Sequence, residues 1–152
     1  MALASIKDHE IIEAMKTRFK AIAAGADYYY TYKHVTDWYT ATYDKVGDSP
    51  SIDIKDDEES LLQVQESSET LHDIDMLVHI DIICIGKSHV ENIRKMKADL
   101  LKNINTDLTW GGLAFHTTFI SSQRNVVDQL GRKVSDMRIS IGIHFRKNAW
   151  SN

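Results

Sequence analysis

Histidines and carboxylates are the side chains in this sequence best suited to acid–base or metal chemistry, and their spacing decides how far that reading goes. The seven histidines, His9, His34, His72, His79, His89, His116 and His144, show no HxH or HxxxH pattern. A metal site would therefore need ligands brought together from distant segments. His79 and Asp81 fall on one side of an alternating apolar run, and His144 falls on the same kind of side of a second run. If the two runs are neighbouring strands, His79, Asp81 and His144 meet on one face and could move protons or hold a metal. A cross-strand polar pair is the more ordinary outcome of such a pattern. Asp56, Asp57, Glu58 and Glu59 could attract a hard cation but lack the scaffold of a calcium loop, which favours a solvated acidic turn. No GxxxxGK[ST] phosphate loop occurs, and the paired Gly111 and Gly112 precede strand-like sequence where a dinucleotide fingerprint needs a helix. No GxSxG nucleophile elbow is present. The single cysteine, Cys84, lies on an apolar face and reads as a core residue, so no disulfide forms within the chain. No cofactor is expected.

The elements that would carry these residues follow from periodicity. From Asp73 to Gly86, Ile74, Met76, Val78, Ile80, Ile82 and Cys84 recur at period two, against a mixed set of Asp73, Asp75, Leu77, His79, Asp81, Ile83 and Ile85. Met137 to Phe145 repeats the pattern. Such clean alternation suits an antiparallel sheet covered on one side, because parallel strands buried on both faces would be apolar throughout. Two amphipathic segments can supply the cover. One should run from a cap at Ser5 to about Ala24, with Ile12, Met15, Phe19 and Ile22 inward and Gly25 as its stop. The other follows Ser88–Glu91, a full capping box, with Val90, Ile93, Leu100, Leu101 and Ile104 as its stripe.

The remaining stretches carry less periodicity. All six tyrosines, with Trp38 among them, fall between residues 28 and 43. That segment suits either an aromatic contact surface or a strand and loop over the core edge. Gly47–Pro50 marks a turn, Ser51–Lys55 a short strand, and residues 55–73 a long acidic loop or an extended hairpin. Leu113–Ser121 resumes strand-like alternation, and Arg124–Lys133 reads as a polar connection. The expected fold class is α+β: a mostly antiparallel β-sheet with two amphipathic helices packed on one face, in a single domain over 1–152.

Composition bounds the function. At 152 residues, 43% hydrophobic and 26% charged, the chain can bury one substantial core. A net charge of -4 without a basic block gives no general affinity for nucleic-acid phosphates. The N-terminus lacks a signal-peptide pattern and no run reaches ~18 apolar residues, so neither export nor a membrane span is expected.

One ordering carries further. A strand ending in glycine is followed by a capped helix, then by Asp107, Leu108, Thr109, Trp110, Gly111, Gly112, Leu113 and Ala114, and then by two strands closing in His144-Phe145-Arg146. This resembles the tail terminator and tail-completion proteins of long-tailed bacteriophages, whose segment after the second helix looks like D-x-T-L-G-G-L-A. Trp110 departs from the usual leucine, and the tyrosine-rich region has no counterpart in that pattern. The resemblance implies a structural virion protein and not an enzyme. It implies a homo-oligomeric ring, most often a hexamer, at the head-proximal end of the tail, assembled in the host cytoplasm. Its partners would be the tail tube protein and the head connector protein, with DNA passing through the channel without specific binding. Another phage neck or baseplate component, or a small enzyme or ligand-binding domain using the His79, Asp81 and His144 face, are the alternatives. Within the ring reading, Leu77, Ile83 and Ile85 would pack on a neighbouring subunit beside the aromatics Trp38, Tyr39 and Trp110. Asp73, Asp75 and Asp81 would line or approach a channel whose wall is acidic or neutral, and an acidic wall would repel passing phosphates.

Overall fold

In a computed structural model, residues 6–38, 50–61, 71–85, 88–129 and 132–148 are described. The element order is α1 (Lys7–Lys20), β1 (His34–Asp37), β2 (Ser51–Leu61), β3 (Leu71–Ile85), α2 (His89–Thr106), β4 (His116–Gln129) and β5 (Arg132–Asn148). The strands form one sheet in the order β1-β2-β3-β5-β4, and only the β1–β2 pair is parallel. The fold is therefore α+β with a mostly antiparallel sheet and two helices.

Register explains which face is covered. Ile74 pairs with Phe145, Met76 with Ile143, Val78 with Ile141, Ile80 with Ile139 and Ile82 with Met137, so the two long strands present one joint apolar face. Ile52 and Ile54 extend it through β2. Ile11, Met15 and Phe19 of α1 and Ile93, Met96 and Leu100 of α2 close over it, and all of these side chains are buried.

Several local expectations are corrected. α1 stops at Lys20, not near Ala24, because the Ala21 amide turns back onto the Thr17 and Arg18 carbonyls, and the Ile22 amide onto that of Phe19. Ser5 lies outside the described residues. α2 begins where the capping box placed it, yet Ser88 makes no side-chain cap bond, since its φ of -97° and ψ of 27° leave the extended geometry a cap requires. Glu91 is instead engaged one turn on, by Lys95 at 2.9 Å. Among the described residues of the tyrosine-rich region only His34–Asp37 is strand, and Tyr39, Tyr43 and the first three turn residues of Gly47–Pro50 lie outside the described residues.

Two stretches expected to be irregular are strands. Lys55–Leu61 continues β2 against β3, so the hairpin alternative for the acidic segment holds that far; residues 62–70 lie outside the described residues. Arg124–Gln129 of β4 pair with Arg132–Met137 of β5, and Asp128 and Gln129 meet Lys133 and Arg132 at the end of the two strands. A two-stranded ribbon at a sheet margin has no covered face to mark with apolar alternation, so polar sequence there does not exclude pairing.

Candidate functional site

The sheet face away from the helices carries the residues singled out from sequence, and strand register fixes how they meet. His79 pairs with Ser140, whereas His144 sits opposite Asp75, four residues along the same strand. At about 3.3 Å per residue that separates the two histidines by about 13 Å. His79, Asp81 and His144 therefore do not converge, and each belongs to its own local cluster.

The Asp81 cluster is the most buried. Arg138 donates Nε to Asp81 Oδ1 at 2.8 Å and Nη2 to Oδ2 at 3.1 Å, and the Lys55 ammonium donates to the same carboxylate. Lys55 Nζ lies 3.5 Å from Asp53 Oδ2, and Thr36 donates its hydroxyl to Asp53 Oδ1 at 2.6 Å. Asp53, Lys55 and Asp81 are all buried although no helix covers them. Burial pushes the Asp81 carboxyl up, but the bonds from Arg138 and Lys55 outweigh it and hold it below the usual carboxylate range.

Beside it, His79 Nδ1 is 2.8 Å from Ser140 Oγ and His79 Nε2 is 3.2 Å from Asp57 Oδ2. The order serine, histidine, aspartate is that of an acyl-transfer relay. Here, however, Ser140 sits in mid-strand at 6% exposure, and its β-ladder neighbours occupy the backbone amides that would have to stabilise an oxyanion. The arrangement works as a polar ladder between strands.

The third cluster lies across β3, β5 and β4, where Asp75, His144 and His116 stand side by side in register. His144 Nδ1 is 3.8 Å from Asp75 Oδ1, its Nε2 is 3.2 Å from Thr118 Oγ1, and its ring stacks on His116 at 6.3 Å between centroids. Among the described residues, no three such side chains converge as metal ligands.

The three aspartates expected to line a channel do not form an acidic strip. Arg146 grips Asp73 with bonds of 2.6 and 3.1 Å, Arg138 and Lys55 hold Asp81, and His144 stands next to Asp75. The counter-charges come from alternate positions of β5, which alternation places on the same face as those aspartates.

Of the interface candidates, Trp38 is exposed at 55%, adopts a left-handed φ of 48° and donates its indole N–H to Asp56 at 2.8 Å. Leu77 is half-buried opposite Gly142. Ile83 is buried at 8% exposure, which leaves a partner little to grip. Tyr39 and the side chain of Ile85 lie outside what is described. Trp110 is a correction: at 1% exposure it is core, edge-on to Phe19 at 6.1 Å, with the Arg18 guanidinium 4.2 Å from its ring centroid and its N–H on Thr117 Oγ1. The turn that places it explains the Asp107–Gly112 motif. Asp107 accepts from the Thr109 amide and hydroxyl and from the Gly111 amide, while Trp110, Gly111 and Gly112 take φ of 53°, 73° and 85°. Glycine fits the last two positions because a side chain is strained at such φ.

Residues missed by the sequence reading cluster on the β4 edge. Phe115, Phe119 and Ile120 are exposed at 60%, 51% and 51%. Phe119 shares the helix-side face of its partner Ile141, whereas Ile120 reaches Gly142 on the other face, so this edge exposes large apolar side chains on both sides of the sheet. No family model matches this chain, and no curated protein matches it. No helix among the described residues is long and apolar enough to cross a membrane.

Proposed function

We propose that this protein is a structural assembly subunit of the phage tail terminator type, forming a homo-oligomeric ring that ends tail-tube growth and joins the head connector. The observation that carries the reading is the β4 margin, where Phe119 and Ile120, with Phe115 just ahead of the strand, stand exposed on an edge that pairs with β5 alone among the described residues. An edge of that composition is a liability in a free monomer and is ordinarily covered in the working state. The resemblance of Asp107–Ala114 and of the element order to tail terminators supplies the kind of assembly. DNA would pass a wall where Arg138 and Arg146 already pair with Asp81 and Asp73, so the wall is nearer neutral than acidic.

The test is mass in solution followed by tube capping. Light scattering on the purified chain should give one closed multiple of the 17.3 kDa subunit, and adding it to growing tail tubes should halt their elongation. A strictly monomeric chain that leaves tube length unchanged would overturn the proposal.

A further inference from the structure

We infer that neighbouring copies join head to tail by strand addition, the lower part of β4 from one copy pairing with the acidic second half of β2 in the next. The inference rests on the assembly reading above and names the contact that builds it.

Both strands are edges at the same height. β1 pairs with β2 only from Ser51 to Ile54, so among the described residues Asp56–Leu61 make no strand pair on that side. Asp56 lies in register with Val78, Val78 with Ile141, and Ile141 with Phe119, which sets the second half of β2 and the first half of β4 on the same rungs. Each strand also has a register shift there, between Asp56 and Glu59 in β2 and between Phe119 and Ser121 in β4. A bulge bends and twists its strand, so the two margins deviate at one level.

Polarity fits as well. β2, β3, β5 and β4 alternate in direction, so a second copy set alongside in the same orientation presents its β2 antiparallel to β4. The joint continues the antiparallel ladder with both helix layers on one side. Five or six residues on each strand is an ordinary strand length.

Charge disfavours pairing the β2 edge with itself. On the β2 edge Asp56, Asp57 and Glu59 are engaged within the chain by Trp38, His79 and Lys147 while Glu58 is exposed, and pairing this edge with itself would bring these acidic side chains together. The β4 edge brings Phe119 and Ile120, flanked by His116 and by Arg146, whose guanidinium stands 5.6 Å from the centroid of the Phe115 ring. Main-chain bonds would supply the affinity, and the acidic character of the β2 edge would favour the uncharged, apolar β4 edge as its partner. Because two different surfaces meet, the contact repeats from copy to copy and closes into a ring when the rotation allows.

Two double variants at exposed positions test this by light scattering. Phe119→Asp with Ile120→Asp places carboxylates on the β4 edge, and Glu58→Lys with Ser60→Lys reverses the β2 edge. Each alone should be monomeric with an unchanged circular dichroism spectrum, and an equal mixture should recover at least a heterodimer, since each variant keeps one intact edge. If the β2 variant assembles like wild type while the β4 variant does not, pairing is β4 to β4 and the head-to-tail inference is overturned. If wild type and both variants assemble alike, the edges are not the contact, although the assembly reading stands. A wild-type chain that stays monomeric overturns both.

Discussion

The Tyr32 hydroxyl donates to Asp99 Oδ2 at 2.9 Å inside the fold, and the same carboxylate accepts the Tyr29 amide at 2.9 Å and the Tyr30 amide at 3.1 Å. One α2 side chain thus satisfies three donors of the tyrosine segment and holds it along the helix. Burial, reinforced by the neighbouring carboxylate, pushes the Tyr32 hydroxyl far above its ordinary range, so it remains a donor at any physiological pH. Asp99→Ala should cost about 3 kcal/mol in urea unfolding, because it strands two backbone amides and a hydroxyl. Tyr32→Phe removes one bond and should cost about 1 kcal/mol. Equal effects of the two substitutions would show that Asp99 does not organise the segment.

The buried charges opposite the helices give a second expectation. Asp81 bridges Lys55 and Arg138, so Asp81→Asn leaves a buried ammonium with weaker compensation and should destabilise the protein by about 3 kcal/mol. Because the folded carboxyl is held below its unfolded value, its contribution is fully present above pH ~4 and fades as the pH falls below that. The variant should show a shallower acid limb than wild type in urea midpoints measured from pH 6 to pH 3.

Ile80 and Ile141 separate core from margin. Both are essentially inaccessible beneath the helices, and Ile80→Ala should cost about 3 kcal/mol through the cavity it leaves. On the other face, Ser140 is also buried and bonded to His79, so Ser140→Asp should destabilise the fold instead of being absorbed by solvent. Thermal melts of the pair check this; an unaffected Ser140→Asp protein would mean that side opens easily to water.

How much of this was legible follows from what alternation encodes. The apolar period of β3 and β5 identified the sheet, its covered face and its helical cover, since Ile74 to Cys84 and Met137 to Phe145 have no other arrangement that buries them all. Residues 55–61, 124–129 and 132–133 were not legible as strands, because their pairing rests on ladder bonds to β3 and between β4 and β5 and leaves no apolar trace. The face shared by His79, Asp81 and His144 was legible, but their distances depended on register, which a sequence pattern does not contain. Trp110 was expected at a subunit interface, and no apolar periodicity around it marks it as core. The carboxylate of Asp107, by bending the chain back, turns it inward.

That turn carries the last prediction. The Thr109 hydroxyl and the Gly111 and Thr109 amides all donate to Asp107, which brings its carboxyl down to about 2. A depressed carboxylate contributes stability above its unfolded value near 4 and loses it as the pH falls toward 2. Asp107→Asn can still accept through one oxygen but cannot serve all three donors, so at pH 7 it should lose about 1–2 kcal/mol, in the range of a removed cap. Its stability should then change less than that of wild type between pH 4 and pH 2. The fluorescence of Trp110 gives the local readout, since loosening the turn would wet a ring now enclosed by Phe19, Arg18 and Thr117. A red-shifted Trp110 emission in the variant at pH 7, matched by wild type only in strong acid, is the expected result. Identical emission and identical acid limbs would show that the glycines alone set the turn and that Asp107 is incidental to it.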